Sequence, residues 1–380
     1  MSNKEERKAP VLRFKGFTDD WEQRKLGDIA KRVIRKNKEN DILPVLTNSA
    51  DLGIVLQNDY FDKAIAKNLN NYYIVSHNDF VYNPRISKKA PFGPINRNKL
   101  NIQGVMSPLY LVFRFNSEMD LNFLEYYFQS SKWYPFMYKN GDSGARADRF
   151  AIKNSILMNM TINVPTLDQQ KRIGKILLLL ENSIALQQRK LEQLELLQKS
   201  ILQTIFTSNN KKEKIELNKL ANYRRGSFPQ PYTNKKWYGG KNSKPFVQVI
   251  DVNDNLKLHE QTKERISEIA QPKSVFVPKG SIIVTLQGSI GRVAITQYDS
   301  YVDRTLLILT DFKKKIDKYY FANALKMVFN KEKLKAPGGT IKTITKSTLS
   351  SFKIVLPNIK LQIQYGKLLK SVDKQIILRL

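Results

Sequence analysis

The chain has 380 residues and a formal charge of +30, with 64 Lys and Arg against 34 Asp and Glu. A hydrophobic content of 41% is ample for packed cores and excludes a wholly disordered chain, and the length sets a prior of two globular domains. The charge exceeds what solubility needs and points to a polyanion, because neutralising phosphates releases counterions; an anionic membrane surface is the competing partner.

Without cysteine there is no disulfide framework and no thiolate metal site, and His77 and His259 alone make no zinc site. The opening MSNKEERKAP has no apolar signal core, and no apolar run approaches the ~18 residues of a membrane span. A soluble, cytoplasmic protein is expected.

After a polar start, Glu22 to Lys38 reads as a short strand or helix start followed by a basic stretch. From Ile42 to Phe115, short apolar runs (ILPVLT, NYYIV, VMSPLYLVFRF) alternate with turn residues, the pattern of a strand-rich region. Asp120 to Tyr138 reads as an amphipathic helix that Pro135 ends or kinks. NGDSGARAD (Asn140–Asp148) is a Gly-rich basic loop, and Ile156 to Val164 reads as a strand.

Thr166 to Ser208 carries the longest helical pattern. Ile173, Leu177, Leu180, Ile184, Leu191, Leu194, Ile201 and Ile205 alternate by four and three once Gln187 and Gln198 fill the gaps. That is a heptad seam in want of a partner helix, with the two Gln placed to fix register. Thr166 and Gln169 read as a capping box. At ~1.5 Å per residue the helix is roughly 60 Å long.

A polar linker, SNNKKEKIE, follows. A second strand-rich region runs to about Leu309, a helix covers Lys318 to Asn330, and KAPGGTIKTI is again a Gly-rich basic loop. The strand FKIVLP then leads into a second helix. At one constant offset Pro165 meets Pro357, Thr166 meets Asn358, and Gly174-Lys175 meets Gly366-Lys367. At that offset the seam residues Leu177, Leu180 and Ile184 meet Leu369, Val372 and Ile376. At a close offset Leu26 meets Leu220. The chain is therefore a duplication. It divides into a globular unit (1–165), a spacer helix (166–208), a second unit (209–357) and a shorter helix (358–380). The fold class is α+β: two similar domains joined by long helices that pair as an antiparallel coiled coil with an internal pseudo-two-fold. The seam expected to meet a partner helix comprises Ile173, Leu177, Leu180, Ile184, Leu369, Val372 and Ile376. Gln187 to Phe206 is left without an obvious partner.

Enzyme motifs are missing. Asn83-Pro84-Arg85 lacks the second Pro and the aromatic of an adenine-methyltransferase signature, and neither a phosphate loop nor a nucleophile elbow is present. Gly288-Ser289-Ile290-Gly291-Arg292 lies between strands and reads as a hairpin turn or a DNA-facing loop. Asp251 and Asp254 have no metal-ligand spacing, so no metal is expected. A binding scaffold is favoured over an enzyme.

The basic loop positions with most claim to DNA are Arg85, Lys88, Lys89, Arg97, Arg146 and Arg149 in the first unit. In the second they are Arg224, Arg225, Lys235, Lys236, Lys241, Arg292, Lys342 and Lys346. Asn83, Ser143, Gln230, Gln248 and Gln287 are polar neighbours able to read base edges. Most such contacts go to phosphates. Tyr232, Trp237 and Tyr238 stand amid lysines, placed either to pack on sugars and bases or to fill a core.

Three stretches resemble the specificity subunit of type I restriction–modification systems: PVLRFKGFTDDWEQRKLGDIA, INVPTLDQQKRIGKIL, and GSIGRVAI with GGTIKTITKSTLSSFKIVLP. The resemblance covers essentially the whole chain and both repeats. It implies two target-recognition domains, each reading half of a bipartite, asymmetric DNA target. It implies helices that set the spacing and dock two modification subunits, with nuclease/translocase subunits joining for restriction. The chain itself would be non-catalytic and bind no cofactor, with S-adenosylmethionine held by the modification subunits. The second helix, half the length of the first, departs from the family pattern. Two other classes stay open: a self-contained DNA-modifying enzyme, and a coiled-coil protein binding nucleic acid without specificity.

Overall fold

A computed structural model of the chain describes residues 12–38, 42–61, 69–142, 148–207, 213–335, 344 and 346–379. It divides into two compact units, Met1–Ala185 and Leu186–Leu380, that meet within the spacer helix. The first unit opens with β1 (Glu22–Lys25), α1 (Leu26–Ile29) and β2 (Ala30–Arg32). Then come β3 (Leu46–Ser49), β4 (Gly53–Leu56), α2 (Gln57–Tyr60), β5 (Tyr73–Val75), β6 (Phe80–Tyr82) and β7 (Ile95–Arg97). It continues with β8 (Gly104–Met106), β9 (Leu111–Phe115), α3 (Leu121–Gln129), α4 (Tyr134–Asn140), α5 (Asn154–Met158) and β10 (Thr161–Val164). The spacer helix α6 spans Leu167–Thr207.

The second unit holds β11 (Lys214–Glu216), α7 (Leu217–Leu220), β12 (Ala221–Arg225), β13 (Lys244–Val247), β14 (Glu264–Ile266) and β15 (Val275–Val277). These lead to β16 (Ile282–Thr285), β17 (Val293–Ile295), β18 (Ser300–Val302) and β19 (Leu306–Phe312). Last come α8 (Lys318–Lys335), α9 (Lys346–Ser350), β20 (Lys353–Val355) and α10 (Ile359–Ile377).

Each unit is built on a four-stranded sheet, in the order β2-β9-β6-β7 in the first and β12-β19-β16-β17 in the second. Phe80–Tyr82 of β6 and Ile282–Val284 of β16 form unbroken apolar runs because the sheet is covered on both faces. Phe80, Tyr82 and Phe113 face a core shared with α3, whereas Val81 and Val112 face a smaller cluster with Leu46 and Met106. Ile282, Val284 and Leu307 likewise face the α8 core of Phe321 and Phe329, while Ile283 and Ile308 face Val247 and Val302. Alternation along a strand sends neighbouring side chains to opposite faces, so a doubly covered strand reads as a continuous apolar run.

The duplication extends to individual hydrogen bonds. A two-stranded clasp, β1 with β10 and β11 with β20, closes each unit. The Leu26 N–H donates to Met160 O at 2.8 Å and the Leu217 N–H to Phe352 O at 2.9 Å. Leu26 therefore corresponds to Leu217 rather than Leu220, the sequence pairing being off by one helical turn. Asp120 and Asp317 cap α3 and α8, accepting from Phe123 N–H and Tyr320 N–H at 2.8 Å each. Gln170 and Gln362 tie the long helices to these caps. Gln170 donates to Pro165 O at 2.9 Å and accepts from Asp120 N–H at 2.9 Å. Gln362 donates to Pro357 O at 2.7 Å and accepts from Asp317 N–H at 3.1 Å. Gly174 and Gly366 sit over the caps because a Cβ there would meet Asp120 Oδ1 at 2.5 Å or Asp317 Oδ1 at 2.3 Å.

Several expectations change. The helix expected over Asp120–Tyr138 is two helices, broken at Ser130, with Pro135 in the first turn of α4, where its missing N–H costs nothing. Ile156–Val164 is not one strand: α5 ends at Met158 before β10 begins. The larger correction concerns the seam. The spacer segment expected to lack a partner, Gln187 to Phe206, contains the paired part. Gln198 Nε2 donates to Asp373 Oδ1 of α10 at 2.6 Å, and the Phe206 ring packs on Tyr320, which stacks on Tyr365 of α10. Gln198 thus lies beside the later part of α10, while Phe206 is linked to its earlier part through Tyr320 of α8, so the two helices run antiparallel. Leu369 and Val372 are buried there and Ile376 is half-buried. In the first unit Ile173 packs on the core and Leu177 is half-buried, but Leu180 and Ile184 are 54% and 66% exposed.

Candidate nucleic-acid interface

In the first unit the loop from β6 to β7 pairs with the segment after the Gly-rich loop. Ile86 N–H donates to Asp148 O at 3.0 Å and Phe150 N–H to Pro84 O at 2.8 Å. Arg85 and Arg149 thereby stand directly opposite one another in an antiparallel bridge. Two like charges so placed repel, and Asp148, 3.3 Å from Arg85, offsets part of this. Arg149 also borders a cavity of about 820 Å³ lined by Lys139 and Lys153. Lys88 is exposed, and Lys89 is ion-paired with Asp51.

Two sequence candidates in this unit serve the scaffold. Asn83 is buried, donates to Asn48 O at 2.7 Å and accepts from Arg85 N–H at 3.0 Å. Its amide is spent inside the unit. Arg97 is also inward: it donates to Asn78 Oδ1 at 2.8 Å and Asn122 Oδ1 at 2.9 Å, with Glu125 3.7 Å away. Ser143 and Arg146 lie outside the described residues.

In the second unit Arg224 and Arg225 are exposed on β12, an edge strand. Gln230, Lys241 and Gln287 are exposed on loops. Gly288 to Arg292 forms the β16–β17 hairpin turn. Arg292 folds back, 2.9 Å from Asp254 and donating to Val252 O at 3.2 Å, so it fastens that turn to a neighbouring loop. Gln248 opens a helical turn where Asp251 accepts from its backbone N–H at 2.7 Å. Lys342 lies outside the described residues, as does the side chain of Lys346.

Trp237 is buried in a cluster with Phe228 and Phe246, joined by Tyr232 and Tyr238. The core alternative thus holds for these aromatics, yet their outer surfaces carry cations. Lys236 Nζ and Lys273 Nζ lie 4.7 and 5.0 Å from the Trp237 ring centroid, and the Arg304 guanidinium lies 5.2 Å from that of Tyr232. Tyr232 donates to Asp303, and burial together with that carboxylate pushes its phenol well above the usual range. Lys273 and Arg304 carry no local sequence signal, because they reach Trp237 and Tyr232 only through the fold.

The model of the type I restriction modification DNA specificity domain matches the chain twice, over residues 18–196 and 209–379. The chain belongs to this family. Its two units are DNA specificity domains in tandem, as the resemblance implied. A type I restriction enzyme MjaX specificity subunit, by its assigned name, from Methanocaldococcus jannaschii is 24% identical over 243 residues. That match spans 60% of this chain and 55% of the relative, about half of its length. A type I restriction–modification S subunit from M. genitalium has a TM-score of 0.58 at 13% identity, covering 97% of this chain and 93% of that one. A chain from work on complex assembly and conformational transition of a type I system has a TM-score of 0.51 at 16% identity, covering 94% and 91%. At such identities the likeness shows the fold.

Among the described residues, no group of three His, Cys, Asp or Glu side chains could hold a metal ion, and no helix is long and apolar enough to cross a membrane.

Proposed function

We propose that this specificity chain reads a bipartite, asymmetric duplex target, one half-site per unit, and directs adenine methylation and restriction by partner subunits in the cytoplasm. One observation carries this reading. The two units share a frame down to single hydrogen bonds, yet the loops above the two sheets differ in length, sequence and charge placement. A common frame with unlike loops suits two different half-sites.

Two modification subunits dock along the helices in this reading and bring S-adenosylmethionine, the chain binding no cofactor; nuclease/translocase subunits join for restriction. The apolar residues Ile176, Leu179, Leu180 and Ile184, 44%, 57%, 54% and 66% exposed, offer those subunits a helical docking face.

The test is base-resolution methylome mapping of a host carrying this chain with its modification subunits. One bipartite adenine-methylated motif is expected; methylation without such a motif would sink the reading. Inserting four residues within Leu177–Leu194, about one helical turn, should lengthen the gap and leave both half-site sequences unchanged. Altered half-sites would rule out a spacer role.

A further inference from the structure

The aromatic cluster of the second unit does more than fill a core. Three loops converge on it. Ser227 Oγ donates to Lys273 O at 3.2 Å, Ser267 Oγ donates to Lys236 O at 2.7 Å, and Tyr232 OH donates to Asp303. The rings stack beneath: Phe228 lies 5.0 Å from Tyr232 and 4.5 Å from Phe246, both nearly parallel. The ammoniums of Lys236 and Lys273 sit over Trp237 of the same cluster, and the guanidinium of Arg304 sits over Tyr232, all on exposed residues.

Three features distinguish these cations from ordinary surface lysines. Each is held over an aromatic face, which restricts long side chains that would otherwise lose rotamer entropy on binding. None is within ion-pair distance of a carboxylate among the described residues, whereas Arg85, Lys89, Arg97 and Arg292 all are. The adjacent acid, Asp303, is 3% exposed and turned inward, accepting from Thr305 N–H at 2.9 Å and from Tyr232. Arg304 thus carries its charge beside a carboxylate already engaged by other donors.

We propose that Lys236, Lys273 and Arg304 form an aromatic-backed clamp for the DNA backbone phosphates of the second unit's half-site. The clamp rests on the DNA-reading function above and assigns these residues to positioning the duplex, not to choosing its sequence. Among its described residues the first unit has no counterpart in its loops; its cation–ring contact, Arg172 over Phe17, involves the spacer helix.

The test uses the full chain assembled with its modification subunits. Duplex affinity is measured against salt for the mapped target and for a scrambled duplex of equal length. K236Q, K273Q and R304Q should each lower both affinities by about fivefold at 0.15 M salt, and each should reduce the log–log salt slope by about 1. The ratio of target to scrambled affinity and the methylated motif should stay as in wild type. K273R should keep the wild-type slope, which separates charge from folding. An unchanged slope in the triple variant, or a tenfold change in the target-to-scrambled ratio, would overturn the clamp. Failure of the wild-type assembly to bind either duplex would instead overturn the function on which it rests.

Discussion

The two units solve the same architectural problem with unequal tolerance. Their β6–β7 and β16–β17 connections each place a glycine at φ +82° shortly before the second strand, Gly93 and Gly291. Around Gly93 the chain is closed: an added Cβ would lie 2.0 Å from the backbone oxygen of Asn83. Around Gly291 the nearest atoms belong to the Phe329 side chain, from 2.8 Å. The first unit has buried its loop in a polar network: Asn48 donates to Val81 O at 2.7 Å and accepts from Asn96 Nδ2 at 2.7 Å, and Asn83 reaches Asn48 O. The second unit has a shorter hairpin there and spends its extra residues on a second four-stranded sheet, β14-β13-β18-β15. A frame fixed by a few latches tolerates very different superstructures.

The largest expected effect separates the two glycines. Gly93→Ala should cost about 3 kcal/mol, since a left-handed residue must also push backbone aside. Gly291→Ala should cost about 1–2 kcal/mol, because an aromatic side chain has room to shift. Chemical denaturation of each variant checks this, and equal losses would break the contrast. Next come the latches: Gln170→Ala and Gln362→Ala each remove a donor and an acceptor that are 1% and 2% exposed, at about 1–3 kcal/mol apiece. A neutral result in one unit alone would show that the shared hydrogen bonds are not equivalent in energy. The smallest effect is Gln198→Ala, about 1 kcal/mol, confined to the second unit because its partner Asp373 lies there. Asp373 keeps Tyr319 as a donor, which limits the loss.

The sequence disclosed the frame well. Pro165 and Pro357, the Gly-Lys pairs and the strand before each proline lie where matching hydrogen bonds appear. The heptad seam was visible too, and Gln198 meets a partner on α10, Asp373, whereas Gln187 is exposed. Which stretch of the spacer is covered was not legible. The repeat shows which residues correspond, and in an antiparallel pair corresponding residues do not face each other. Individual DNA candidates were harder still. Asn83, Arg97 and Arg292 have the same composition as a reading loop, and only the fold shows their polar atoms turned inward. Lys273 and Arg304 stand far from the KKWY stretch in sequence and gain meaning from the ring beneath them.

Residues 181–190 of the spacer are all exposed, and the boundary between the two units falls among them. Most helices fray from their ends. Here both ends are anchored, by Gln170 to its cap and by Ile205 and Phe206 to a core. Beyond the bond from Tyr126 OH to Glu181 at 2.6 Å, the middle relies on its own backbone hydrogen bonds and on helix propensity, and ten or so such residues are marginal in water. The longest helix should therefore be softest at its centre. Its amide deuterium uptake should peak near Leu186 and fall toward both ends.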